Sequence, residues 1–191
     1  MEKELKYVVI GAGGTGGPIG GYLARAGKDV TLIARGRHME AMKAHGLEIE
    51  LAGESFVAPV KACSMEEYKE TADVIFVCVK GYSLEEAAEF IKKAADAHTV
   101  VIPILNIYGT GGKLQEILPD ITVTDGCIYI ASQIKEPGKI LMSGKIFRVV
   151  YGLRKDTSKE IEEKVMPVLK KVEADLKAAE ILPVLSSNIE R

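Results

Sequence analysis

The stretch YVVIGAGGTGGPIGGYLARAGKDVTLIAR, residues 7–35, sets out the architecture of the chain. It opens as a short apolar run rich in β-branched residues, breaks into five glycines within seven residues, and resumes with helix-like apolar spacing until Gly27. A second run, DVTLIAR, is continuously hydrophobic, as a strand buried on both faces should be. The order is strand, tight loop, helix, helix stop, strand. A βαβ unit of this length forces parallel strands and a right-handed crossover. The fold expected is α/β, a Rossmann-type doubly wound, mostly parallel sheet.

The loop itself carries the first chemical signal. Gly11, Gly13 and Gly16 make the GxGxxG spacing in GAGGTG, with Ala12, Gly14 and Thr15 between them. In a chain holding 19 glycines the pattern alone is weak, because it also serves as a small-residue packing turn. Its place directly after a strand and at the start of a helix gives it meaning. Gly11 permits the sharp turn, Gly13 leaves bare backbone for a pyrophosphate, and Gly16 lets the helix approach the strand. The helix N-terminus then offers unpaired N–H groups and a partial positive charge.

The second signal lies at the end of the second strand. An NAD site places Asp or Glu there to accept hydrogen bonds from the ribose 2′-hydroxyl. This sequence supplies Arg35, followed by Arg37 and His38. A carboxylate would repel a 2′-phosphate, whereas a guanidinium pairs with it through a fork of donors. One charge-assisted bond of roughly 1.5–3 kcal/mol gives a preference of about ten- to a hundredfold, so NADP(H) is the expected cofactor. Arg37 and His38 are weaker candidates, since either could be solvated at a helix start. Lys80, ending DVIFVCVK, is expected on the same carboxyl edge as a second cation toward the phosphate, the alternative being a snorkelling strand-end lysine.

Outward from this unit, GRHMEAMKAHG reads as a helix closed by Gly46, and LEIEL with SFVAPVKA reads as a hairpin across AGE. ADVIFVCVK and TVVIPILN are further buried strands. Between them SLEEAAEFIKKAADA forms a helix whose Ser83 and Glu86 fit a capping box. KLQEIL is a short helix, and two long strands follow, joined through KEPGK. DTSKEIEEKVMPVLKKVEADLKAAE is amphipathic, with Pro167 expected to interrupt or kink it. Beyond it the chain reads as an element cut short.

Bulk properties exclude several classes. With 47% hydrophobic and 27% charged residues and a net charge of −2, nothing points to nucleic acid or an anionic membrane as partner. Cys63, Cys78 and Cys127 form neither CxxC pair nor disulfide framework, which suits a reducing compartment. No apolar run reaches the ~18 residues needed to span a bilayer, and the N-terminus lacks a signal-peptide layout. A cytoplasmic location is the expectation. His45 and His98 read as surface residues, and no His, Cys or carboxylate grouping has metal-ligand spacing, so no metal is expected.

Together the glycine loop, the strand ending IAR, the VCVKGYSL and VIPILN stretches and the later DG, PGK, SG and YG glycines resemble the N-terminal domain of the ketopantoate reductase (2-dehydropantoate 2-reductase) family. The resemblance covers nearly the whole chain. It implies NADPH-dependent reduction of 2-dehydropantoate to pantoate, a step toward pantothenate and coenzyme A. It assigns Arg35 and Lys80 to the 2′-phosphate and Asn106 to the nicotinamide and substrate. Where the family usually has Asn-Gly, this sequence reads NIYG, with Ile107 in the glycine's place. The resemblance also puts the general-acid lysine beyond Arg191, in a C-terminal helical domain, so no catalytic residue is assigned within the chain. Residues 1–185 are then the NADP-binding domain and 186–191 the start of the helical one. The partners implied are a small 2-oxo acid and, through apolar surface beside the cleft, a second copy in a homodimer. Turnover by residues 1–191 alone is expected to be weak or absent. The alternatives are another NADP-dependent 2-oxo or 3-hydroxy acid dehydrogenase, or a non-catalytic dinucleotide-sensing module.

Overall fold

The computed structural model describes residues 2–79, 82–187 and 189. Its central layer is built from short strands whose side chains meet apolar partners on both faces. β1 (Lys6–Ile10), β2 (Asp29–Ile33), β5 (Lys61–Cys63), β6 (Val74–Val77), β7 (Val100–Pro103) and β8 (Thr122–Val123) form one sheet in the order β5-β2-β1-β6-β7-β8. Every pairing in it is parallel. Tyr7 and Val9 belong to one apolar cluster while Val8 and Ile10 belong to another, so β1 is sealed on both sides. The chain builds outward from β1 through β2 and then restarts on its other side at β6. That reversal is the switch point where doubly wound sheets open a crevice at the carboxyl ends of their strands.

α3 (Leu84–Ala94) and α4 (Thr110–Ile117) cover one face of this sheet through Ala87, Ala88, Ile91 and Leu114. Ser83 caps α3, its Oγ accepting from the Glu86 N–H at 3.0 Å, as the capping-box pattern requires. α1 (Gly16–Arg25) and α5 (Lys159–Ala178) lie on the opposite face, and α2 (Gly36–His45) follows β2.

A second sheet forms a further layer over α1 and α5. β3 (Leu47–Leu51) and β4 (Glu54–Ala58) form the expected hairpin, except that the arm read as SFVAPVKA ends at Ala58, and Lys61 and Ala62 pass into β5 of the first sheet. β9 (Asp125–Glu136) with β10 (Lys139–Gly152) is the long ribbon turned at the Pro-Gly sequence. β9 runs along one edge of β10. The other edge is shared by β3, at Lys139–Met142, and by β11 (Leu182–Leu185), at Arg148–Tyr151. Within the closing stretch ILPVLSSNIER, Leu182–Leu185 thus form a parallel strand. Pro183 sits within it. It partners Val149 in the register.

Helix α1 is sandwiched between the two sheets, and its composition makes that possible. A Cβ on Gly16 would lie 2.9 Å from Val9 Cγ1, and one on Gly20 would overlap Leu32, both in the first sheet. A quarter-turn around the helix, a Cβ on Gly17 would meet Ile140 at 3.2 Å and one on Gly21 would meet Ile49 at 2.5 Å, both in the second sheet. Bare backbone on two faces lets both sheets close on a single helix. α5 is pinned in the same layer: Tyr7 donates its hydroxyl to Asp175 at 2.7 Å, and Tyr151 donates to the Leu169 carbonyl at 2.8 Å. Of the two outcomes expected at Pro167, an interruption does not occur, for the helix is continuous from Lys159 to Ala178.

Candidate functional site

The carboxyl edge of the parallel sheet collects the glycine loop, Arg35 and Asn106. Gly11 turns the chain out of β1 with φ 93°, a left-handed conformation that favours glycine, and its N–H reaches the Ile33 carbonyl at 3.0 Å. Gly17 N–H closes onto Gly13 O at 2.8 Å, starting α1. The N–H groups of Ala12, Gly13, Gly14 and Thr15 have no acceptor among the described residues, and Thr15 at the N-cap makes no side-chain cap bond. Buried donors without partners are costly. A helix start left bare in this way is a ready anion site.

Arg35 stands two residues past β2, at the N-cap of α2 with extended backbone. Its guanidinium lies over the Tyr82 ring at 4.3 Å and its Nη1 is 4.0 Å from Glu86 Oε1. Half the side chain or more faces solvent, 58% by area, so donors remain available to a ligand. Burial raises the Tyr82 hydroxyl pKa, with Arg35 pulling it the other way. Arg37 is exposed. His38, a weaker candidate that could equally have been solvated, is part-buried. Its Nε2 lies 2.6 Å from Ala12 O and its Nδ1 accepts from Gly138 N–H at 2.9 Å, so it bridges the glycine loop to the β9–β10 turn. Lys80 lies outside the described residues.

Asn106 follows β7 and is exposed on the wall of a cleft of about 780 Å³. The strand order puts three strand spacings between the ends of β2 and β7, about 14 Å from Arg35's strand to that of Asn106. The glycine loop lies between them. Ile107 in the NIYG turn is outside the left-handed region, and the positive φ falls on Gly109 (80°), the N-cap of α4. The turn therefore needs no glycine at 107.

The cleft also contains a pair that no sequence motif announced. Arg154 sends Nη1 toward Asp125 at 3.5 Å and Nη2 to Asp156 at 3.1 Å, while its buried Nε has no partner among the described residues. Burial pushes the Asp125 carboxyl above the usual range, with Arg154 opposing. Asp125 begins β9 and Arg154 follows β10, strands paired at Asp125–Gly152, so only the folded ribbon brings them together. The cysteines Cys63, Cys78 and Cys127 are free, no described group of His, Cys and carboxylates could hold a metal, and no described helix is long and apolar enough to cross a membrane.

A sequence model of the family described as "Ketopantoate reductase PanE/ApbA" matches residues 7–156. The chain is 32% identical over 148 residues to "Uncharacterized oxidoreductase YkpB" of Bacillus subtilis (strain 168), covering 78% of this chain and 48% of that protein. It is 32% identical over 166 residues to a 2-dehydropantoate 2-reductase of Mesorhizobium japonicum, covering 75% of this chain and 51% of the other. The crystal structure of 2-dehydropantoate 2-reductase from Porphyromonas gingivalis W83 superposes with a TM-score of 0.82 at 29% identity, over 98% of this chain and 66% of that one. The chain spans about half the length of the curated relatives it matches. With its doubly wound sheet, its glycine loop and these likenesses, the chain belongs to the ketopantoate reductase family.

Proposed function

We propose that this chain is the dinucleotide-binding half of an NADPH-dependent reductase acting on 2-dehydropantoate. The observation that carries the reading is the row of unaccepted N–H groups at Ala12–Thr15, flanked along one sheet edge by a partly exposed arginine and by the Asn106 cleft. The donor set fits a dinucleotide: bare backbone N–H groups at a helix start suit a pyrophosphate, and a guanidinium held over an aromatic ring suits a 2′-phosphate. When bound, the nicotinamide supplies a hydride to the 2-oxo carbon.

The chain's own residues bind and orient. The glycine loop holds the pyrophosphate, Arg35 selects the 2′-phosphate with Lys80 as a second cation, and Asn106 directs an amide toward nicotinamide and substrate. Holding the two reactants in register lowers the barrier through orientation. The resulting alkoxide needs a proton, and a positioned acid contributes typically ~10²–10⁴-fold. By family resemblance that acid is a lysine beyond Arg191, with residues 1–185 as the cofactor domain and 186–191 opening the next. Turnover by residues 1–191 alone is then slow or absent, while binding persists.

Amide-resolved NMR titration of the 191-residue chain tests this reading. NADPH should perturb Gly11–Gly16 and Arg35, and ketopantoate added to the NADP⁺-loaded chain should perturb Asn106. Shifts confined to other surfaces, or ketopantoate effects indifferent to the nucleotide, would contradict it.

A further inference from the structure

We infer that His38 and Ser132 are positioning residues for the phosphate loop, pinning two of its carbonyls from one side so that the N–H groups beyond them point to the other. The inference rests on the reading of that loop as a phosphate site. Ser132, on β9, donates its hydroxyl to the Gly14 carbonyl, and the His38 imidazole meets the Ala12 carbonyl at 2.6 Å. A trans peptide is planar, with its C=O and the following N–H on opposite sides. Fixing Ala12 O therefore aims Gly13 N–H away from the ring, and fixing Gly14 O aims Thr15 N–H away from Ser132. The intervening carbonyl, Gly13 O, is held by Gly17 N–H at 2.8 Å, which turns Gly14 N–H outward from the helix. Three consecutive carbonyls thus have donors, and the three N–H groups beyond them are oriented and unaccepted among the described residues.

The hydrogen bonds of His38 fix its chemical form. Nδ1 accepts from Gly138 N–H at 2.9 Å and so carries no proton. Nε2, facing a carbonyl oxygen, must donate. The ring is the neutral Nε2–H tautomer, joining α2, the glycine loop and the β9–β10 turn. Gly14 matches this fit: a Cβ there would sit 2.6 Å from Ser132 O. Donors held in place before the ligand arrives need no reorganisation when it binds, which is where such an arrangement adds affinity.

The test uses the 191-residue chain with His38→Ala, His38→Gln and Ser132→Ala, titrated with NADPH and with adenosine 2′-monophosphate, which has no pyrophosphate. His38→Ala and Ser132→Ala should each weaken NADPH about three- to tenfold, the worth of one hydrogen bond, and leave the 2′-monophosphate unchanged. His38→Gln, whose amide both donates and accepts, should recover most of the loss. Nitrogen-15 spectra of the wild-type ring should show a protonated Nε2 and a bare Nδ1. Unaltered NADPH affinity in both alanine variants, equal weakening of both ligands, or an Nδ1–H ring overturns the inference while the cofactor reading stands. A wild-type chain that binds neither ligand overturns the cofactor reading, and this inference with it.

Discussion

Replacing Asp175 by alanine tests how the outer layers are fastened to the parallel sheet. The carboxylate is 4% exposed, accepts from the Tyr7 hydroxyl at 2.7 Å and pairs with Lys28 Nζ at 3.1 Å. Tyr7 is fully buried in β1, so Asp175→Ala strands its hydroxyl away from water. A hydrogen bond to a charged group is worth about 1.5–3 kcal/mol. Lys28 is a quarter exposed and can turn to solvent, so its pairing adds only about 0–1 kcal/mol. The sum is about 3 kcal/mol. For 191 residues at about 2.1 cal/mol/K each, the unfolding entropy is about 0.4 kcal/mol/K, and Tm should fall by about 7 °C. Calorimetric melts of wild type, Asp175→Ala, Tyr7→Phe and the double variant should give a coupling of about 2 kcal/mol, because both single changes remove the same bond. Additive losses, or an Asp175→Ala Tm within about 1 °C of wild type where about 7 °C is expected, would refute the account of how α5 is held.

Three further outcomes follow from the geometry. Glu86→Gln removes the carboxylate 4.0 Å from Arg35, an interaction of about 1 kcal/mol in water, and should tighten NADPH up to about fivefold by calorimetry; weaker binding would contradict the assignment of Arg35. Burial raises the hydroxyl pKa values of Tyr7, Tyr68 and Tyr151. Their stabilisation is complete below the unfolded tyrosine value of about 10 and is lost as pH rises beyond it, since the unfolded chain ionises first. The urea midpoint should therefore drop between pH 9 and pH 11, and a constant or rising midpoint would count against this sealing of the tyrosines. Gly16→Ala places a Cβ onto the Gly11 carbonyl and 2.9 Å from Val9 Cγ1, so it should destabilise by about 1–3 kcal/mol and abolish NADPH binding; retention of both would mean the loop does not need its close approach.

The parallel sheet was legible because each of its main strands is a continuous apolar run ended by a glycine or a polar residue, and because βαβ handedness leaves few arrangements. The second sheet was not. Its strands were visible singly, but β10 pairs with β3 about ninety residues earlier in sequence, and no local periodicity encodes that partner. Leu182–Leu185 escaped notice because four residues holding a proline look like a fragment until β10 offers them an edge. Pro167 does not interrupt α5, since packing of Val165, Leu169 and Val172 into the core holds the helix together across it. Within the site, Arg35, the glycines and Asn106 follow strand ends, whose positions a sequence reveals. The pairings His38–Gly138, Ser132–Gly14 and Asp125–Arg154 arise only once the β9–β10 ribbon is folded.

Whether Arg35 and the glycine loop form an NADP site is decided by paired calorimetric titrations of the chain with NADPH and NADH. NADPH should be preferred about tenfold or more, the worth of one charge-assisted bond, and the preference should disappear in Arg35→Ala with NADH affinity little changed. Equal affinity for the two nucleotides in the wild-type chain, or a preference that survives Arg35→Ala, would contradict it.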